Sequence, residues 1–203
     1  MSILLIRHGE TALNAARIVQ HPETPLNERG LGQASRLAGR LADFPITTIV
    51  SSDYKRAHMT AEAIAAVTGL GIEIQESLRE RNFGDVRGVA HADLPVDLYA
   101  PDFHPSGGES WAIFHERVSV AWEEVKERAA RTAGDLAVVS HALVCRALVE
   151  NHLEVPQDVD AMIHRWPNTA LTVIEDDAPW LVSLLACGEH LEGEVADDSA
   201  AKS

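Results

Sequence analysis

With 203 residues, 46% of them hydrophobic, the chain is long enough for one globular domain with a real core. Its 17 basic and 31 acidic residues leave a formal net charge of −14. That excludes the basic footprint of a nucleic-acid binder and leaves any anionic ligand to a few local arginines working against the global field. No apolar stretch reaches bilayer-spanning length, and the two cysteines, Cys145 and Cys187, form no CxxC pair and read as small buried thiols in a reduced, cytoplasmic protein.

The chain opens on an apolar run at residues 2–6, with no basic n-region or cleavage site, and this reads as a first strand. Leu31, Ala34, Leu37, Ala38 and Leu41 recur at helical spacing within a helix predicted over 28–42. Ile46 to Val50 is rich in β-branched residues and reads as a strand. Ser51, Ser52 and Asp53 then offer caps for a helix running to about Thr68, which Gly69 stops. Ile72 to Ile74 is a further short strand. From Arg79 to Gly108 the pattern is irregular and rich in proline and glycine, which marks a functional loop or lid. Trp111, Phe114, Val118, Trp122 and Val125 then mark an amphipathic helix from about Ser110 to Thr132, both tryptophans reading as core.

Leu136 to Val139 is a strand and His141 to His152 a helix, followed by closing strands at Thr169–Ile174 and Trp180–Leu185. This alternation predicts an α/β fold with a mostly parallel central sheet covered on both faces. Residues 1–187 form a single domain on this reading, and 188–203 an acidic, flexible tail.

Two histidines follow predicted strands directly, in Ile6-Arg7-His8-Gly9 and Val139-Ser140-His141-Ala142. Ligands of open α/β sheets bind at the carboxyl ends of strands, so two such loops side by side bring both imidazoles to one place. Gly9 is expected to let backbone approach an anion closely. Arg56, early in its helix, offers a planar fork for phosphate oxygens. Glu80 opens the irregular segment. The remaining histidines (58, 91, 104, 115, 152, 164 and 190) show no metal-ligand spacing, so no metal site and no cofactor are expected. Cys145 precedes Arg146 without the loop of a cysteine phosphatase.

Taken together, these segments resemble the histidine phosphatase superfamily, also called the phosphoglycerate mutase-like family. The resemblance rests on RHGET at 7–11, Asn14 and Gln20 at N-x5-Q spacing, Pro25-Leu26 with Gly30 and Gln33-Ala34, and Ser51-Ser52-Asp53 with Arg56-Ala57 and Thr60-Ala61. It continues through Leu78-Arg79-Glu80 with Phe83-Gly84 and Gly88, Gly107-Gly108-Glu109-Ser110 and Val138-Val139-Ser140-His141, in family order over nearly the whole chain. It implies a three-layer α/β/α sandwich and a catalytic set of His8, Glu80 and His141. His8 becomes phosphorylated and Glu80 protonates the leaving oxygen. Arg7, Asn14, Arg56, His141 and Ala142 surround the phosphate, and Gln20 and His21 lie toward the rest of the substrate. His21, Met59, Val86 and Ala142 depart from the usual pattern; none removes a catalytic side chain, but His21 and Val86 fall where the pocket mouth is expected.

Two arginines and a protonated His141 are expected to neutralise the phosphoryl charge without a metal, with the guanidinium groups holding His8 neutral and burial raising Glu80. The expected activity is hydrolysis of a small phosphorylated metabolite. A phosphoglycerate mutase-type isomerase is the alternative, and a non-catalytic phospho-ligand module is disfavoured because every expected catalytic side chain is present. From Gly88 to Ser110 there is no lysine or arginine, and Asp93, Asp97, Asp102 and Glu109 are expected to repel a glycerate carboxylate. Neither nucleic acid nor membrane is expected as a partner. The sequence leaves oligomeric state open, a homodimer being one arrangement it permits.

Overall fold

The computed structural model describes residues 1–156, 166–175 and 177–191. Its elements are β1 (Ser2–Arg7), α1 (Ala12–Ala15), α2 (Glu28–Leu41), β2 (Ile46–Ser51), α3 (Lys55–Thr68), β3 (Ile72–Ile74), α4 (Trp111–Ala129), β4 (Asp135–Ser140), α5 (Ala142–His152), β5 (Leu171–Glu175) and β6 (Val182–Cys187). His164 and residues 192–203 lie outside the described residues.

The six strands form one sheet in the order β3-β2-β4-β1-β5-β6. β1, β2, β3 and β4 run parallel, while β5 pairs antiparallel with both β1 and β6. For β5 and β6 the antiparallel pairing has a simple cause: the connection from 175 to 182 is too short for the crossover that parallel neighbours need.

Side chains alternate strictly across the sheet. Ile3 and Leu5 of β1, with Leu136 and Val138 of β4, face Phe114, Val118 and Trp122 of α4 and Val144 and Leu148 of α5. Leu4 and Ile6, with Ala137 and Val139, face Leu37 and Leu41 of α2 and Ala57 and Ile64 of α3. Strands buried on both faces have no polar alternation, which is why β1 and β4 read as continuous apolar runs. The result is a three-layer α/β/α sandwich. Each fully buried Leu, Ile or Phe contributes about 1.5–3 kcal/mol of transfer free energy.

The helix ends follow local chemistry. Asn27 caps α2, its side chain accepting from Gly30 N, and Ser110 caps α4 through Ile113 N. Gly69 closes α3 in the left-handed region at φ 72, where a Cβ is disfavoured. At the other end of α3 the expected caps are not used. Tyr54 occupies the N-cap position without a side-chain bond. Ser51 and Ser52 are instead buried under the sheet's carboxyl edge, and Asp53 takes a bidentate grip from Arg79 at 2.8 and 2.5 Å.

The ordered chain also continues past 187, so the expected tail does not begin at 188. Glu189–Leu191 form a 3-10 turn; Leu191 is buried and His190 Nε2 meets Thr169 Oγ1 at 2.9 Å. Burial of Leu191 supplies the anchor that its acidic neighbours lack. Cys145 is buried as expected, but Cys187 is half-buried, with Arg40 Nη1 3.2 Å from its sulfur.

Candidate active site

Strand register builds the site. Arg7 of β1 lies opposite Ser140 of β4, and Ser51 of β2 opposite Val139, so the three strands end at one level. The next residues, His8, Ser52 and His141, are therefore delivered to the same edge. Backbone bonds continue the ladder one step further, His8 N to Ser140 O at 3.0 Å and Ser52 N to Val139 O at 3.0 Å. The two imidazoles meet edge to face with centroids 5.2 Å apart, both buried.

The tautomer of His8 follows from its partners. Nδ1 lies 2.7 Å from Gly9 O, which can only accept, so Nδ1 carries the proton. Nε2 then holds the lone pair, and Arg56 Nε donates to it at 3.2 Å. Burial lowers the His8 pKa well below its ordinary value, with Arg56 and Arg7 adding to the effect, so the ring is neutral at neutral pH. This is the neutral imidazole the sequence implies, with burial the larger cause.

Gly9 also serves packing. A Cβ there would stand 2.7 Å from Gly30 O, and one on Gly30 would stand 2.0 Å from Glu10 O. The two glycines let α2 press against the loop after β1. Glu10 is locked into the same contact, its N–H held by Gln33 and its carboxylate by Asn27 and Arg29.

His141 Nε2 lies 2.9 Å from Ser52 Oγ, which already accepts from Tyr54 N, while the buried Nδ1 has no hydrogen-bond partner. A serine donating to Nε2 puts the ring proton on Nδ1. Burial first, then Arg56 and His8, lowers the His141 pKa well below its ordinary value, so the protonated form expected beside a phosphoryl group needs that anion's charge. It is a neutral donor until an anion arrives.

Arg7, buried, donates through Nη1 to Trp166 O. Arg56, also buried, reaches His21 O at 3.0 Å, and desolvation lowers its pKa to about 10. His21 thus contributes its carbonyl, while its exposed side chain lies against Gly88 and does not line the cavity. Gln20 does line it, its Oε1 accepting from Thr11 at 2.7 Å. Ala142 opens α5, whose first N–H groups have no intrahelical acceptor and place the positive end of the helix dipole at the site.

Glu80 receives Arg81 N at 2.9 Å and Leu143 N at 3.3 Å. Desolvation raises its pKa, outweighing those two donors and Arg56. Arg117 of α4 fixes the segment from below, donating to the carbonyls of Ser77 and Arg79 at 2.8 Å. The irregular stretch after Glu80 is likewise pinned: Arg81 is buried, donates to Leu98 O, Phe103 O and Glu109 O, and lies 3.9 Å over the Trp111 ring. Trp122 is buried core, while Trp111 is a partly exposed platform for Arg81 rather than pure core.

A cavity of about 130 Å³ collects Arg7, His8, Asn14, Arg56, Glu80 and Ala142, and among the described residues Glu80 is its single carboxyl group. Asp93, Asp97, Asp102 and Glu109 do not line it. The first three are exposed, and Glu109 is paired with Arg117 at 2.7 Å. The expected repulsion of a carboxylate therefore has no source there. Arg17 and Arg87 line the cavity instead.

Sequence reasoning also missed Asn168 and Thr169. Asn168 Nδ2 holds His8 O at 3.0 Å and Asn14 Oδ1 at 3.5 Å, which turns the Asn14 amide so that its NH₂ is the group left for a ligand. Thr169 N also reaches His8 O, from a left-handed backbone at φ 58 that is strained for a β-branched residue. Among the described residues no three His, Cys, Asp or Glu side chains gather as metal ligands, and no helix is long and apolar enough to cross a membrane.

Comparison with known proteins agrees with this architecture. The sequence profile of the Histidine phosphatase superfamily (branch 1) matches residues 3–184. The chain is 31% identical to phosphoglycerate mutase-like protein 4 of Arabidopsis thaliana, over 94% of this chain and 86% of that one. Among solved structures, YhfR of Bacillus stearothermophilus superposes with a TM-score of 0.80 at 27% identity, covering 94% of this chain and 99% of the other. A mycobacterial glucosyl-3-phosphoglycerate phosphatase superposes with a TM-score of 0.73 at 27% identity, covering 86% and 90%.

Proposed function

The chain belongs to the histidine phosphatase superfamily, and from that membership together with the cavity's geometry we propose that it is a phosphomonoesterase acting on a small phosphorylated metabolite. The observation that carries the reading is one cavity holding both a neutral His8 with its lone pair on Nε2 and a Glu80 disposed to keep its proton.

The reaction is written in two displacements. The His8 Nε2 lone pair attacks phosphorus, the ester P–O bond breaks, and the leaving oxygen takes the Glu80 proton to depart as an alcohol. Water then attacks the phosphohistidine while the Glu80 carboxylate takes its proton. The P–N bond breaks, its electron pair returns to Nε2, and inorganic phosphate leaves. Arg7, Arg56, the Asn14 amide, His141 Nδ1–H and the α5 N-terminus at Ala142 offset charge on the equatorial oxygens. The bound dianion draws His141 toward its protonated form, and the incoming phosphoryl group takes over the lobe that Arg56 Nε marks on His8.

Isomerisation is a second reading, favoured by one observation: Arg17 and Arg87 add to the cavity lining positive charge of the kind that a glycerate carboxylate needs. Hydrolysis is preferred because Arg17 is exposed at the mouth and water reaches the cavity past it. In addition, Arg81 and Arg117 tie the covering segment to backbone carbonyls rather than leaving it to close over an intermediate.

The test is to supply 3-phosphoglycerate with a bisphosphate primer, to follow phosphate and 2-phosphoglycerate together, and to trap the enzyme by acid-free quench. Phosphate release with a phosphohistidine absent from His8→Ala is expected. Fast isomerisation with little phosphate would promote the mutase reading, and turnover by His8→Ala at a tenth of wild type would remove His8 from its role.

A further inference from the structure

In this acidic chain, arginines away from the cavity carry carboxylate partners: Arg29 with Glu10, Arg79 with Asp53, Arg128 with Glu73 and Arg146 with Glu150. Arg17 and Arg87 form no ion pair with any described residue, although 31 acids are available. Both line the cavity that already contains Arg7 and Arg56. Arg81 also lines it, its guanidinium turned to backbone carbonyls. Gathering the other four guanidinium groups beside one carboxyl group is unfavourable by mutual repulsion unless a ligand supplies the counter-charge. A phosphate dianion carries about two negative charges, which leaves part of this positive charge unmatched.

The two arginines are also held in place. Residues 17–19 run antiparallel to 88–91: Ile18 bridges Ala90, Val19 N reaches Val89 O at 3.0 Å, Gly88 N reaches Val19 O at 2.7 Å, and His91 N reaches Arg17 O at 2.9 Å. Arg17 thus sits at one end of a small ribbon and Arg87 next to the other. Arg17 adopts φ 54, a left-handed conformation that is unfavourable for a non-glycine residue and persists only where surrounding bonds enforce it. Asn14 O and His91 N supply those bonds. Arg87 is oriented by Tyr54, its Nη2 3.2 Å from the phenol oxygen.

We propose that Arg17 and Arg87 form a second anion subsite beside the phosphate pocket, so that the substrate is a small phosphomonoester bearing a further carboxylate or phosphate. The assignment rests on the phosphoesterase reading for the placement of the first anion at His8. Leu13, Ile18 and Val19 add apolar wall to the same cavity, whose volume of about 130 Å³ admits a metabolite rather than a drug-sized ligand.

The test compares 3-phosphoglycerate with glycerol 3-phosphate, esters of similar size that differ in the second anion, in wild type and in Arg17→Gln, Arg87→Gln and the double variant. Wild type is expected to favour 3-phosphoglycerate in kcat/KM by about 10- to 100-fold, the range for a charge-assisted pair. The double variant should bring that ratio to within about threefold of unity. A wild-type ratio near one, a ratio unchanged in the double variant, or proportionate losses on both esters would overturn the subsite. Calorimetric binding of the same two esters separates this from the activity. Tighter binding of 3-phosphoglycerate that depends on the arginines, without phosphate release from either ester, keeps the subsite and removes the phosphatase. Phosphate release from both without discrimination does the reverse.

Discussion

Replacing Glu80 by glutamine removes one proton from the site and little else. The side chain keeps its length, and an amide oxygen can still accept from Arg81 N at the 2.9 Å position. The loss is the 3.3 Å contact with Leu143 N, long enough that its removal costs only about 1 kcal/mol. The lost proton matters more. Alkyl phosphates depart as poor leaving groups, so kcat should fall by about 10²–10⁴, equivalent to about 2.7–5.5 kcal/mol of barrier. With p-nitrophenyl phosphate, whose leaving group needs little protonation, the loss should be much smaller. The pH profile sharpens the test. Burial raises the Glu80 pKa, so the acid form persists to higher pH than an ordinary carboxyl and is lost as pH rises through that raised value. Wild-type kcat on an alkyl ester should therefore decline on the alkaline side, and in Glu80→Gln that limb should disappear. Steady-state phosphate release on both esters across the pH range reads all of this. Equal losses on the two esters, with the alkaline limb intact, would refute the assignment. Glu109 and Glu10 offer no replacement acid, because each is consumed by an ion pair outside the cavity.

Asn168→Ala should lower kcat/KM by about tenfold or more, because it removes one of the two donors to His8 O, leaving only Thr169 N, and frees the Asn14 amide, and small misplacements are costly; wild-type kinetics in the variant would show that Asn168 positions nothing. Dialysis against EDTA should leave activity intact, since Arg7 and Arg56 supply the charge a magnesium ion would bring; loss of activity restored by Mg²⁺ or Zn²⁺ would overturn that balance. Thermal unfolding should show Tm falling as pH drops below about 6.5, where His8 and His141 take up protons in the unfolded chain but resist them in the fold. Their depressed pKa values mean that this stability is present above the unfolded value and lost on the acid side, so a flatter profile is expected for His141→Gln and a flat wild-type profile would contradict the burial argument.

What could be read from the sequence and what could not divide along a physical line. Strands buried on both faces must be apolar throughout, and helices covering them must be apolar along one stripe. Hence β1, β4, α2 and α4 are legible from periodicity, and their register alone brings His8, Ser52 and His141 together. A residue whose partner is a backbone carbonyl far along the chain leaves no such trace. Arg81 and Arg117 look like solvated charges in a one-dimensional pattern, yet they organise the segment that carries Glu80. Asn168 acts at a separation of 160 residues from His8, and only the sheet crossing between them makes it a neighbour. The same limit applies to charge. The sequence of 88–110 leads one to expect its acids to repel a glycerate carboxylate, but Asp93, Asp97 and Asp102 turn to solvent, and Arg17 and Arg87, beside the ribbon of 17–19 against 88–91, line the cavity instead. Local electrostatics in a fold with a −14 charge is set by which side chains the loops turn inward, not by the composition of the segment that covers the site. Specificity in this cavity therefore follows from the pairing of segments 17–19 and 88–91, because a change that slips that pairing would move Arg17 and Arg87 while leaving His8, Glu80 and His141 in place.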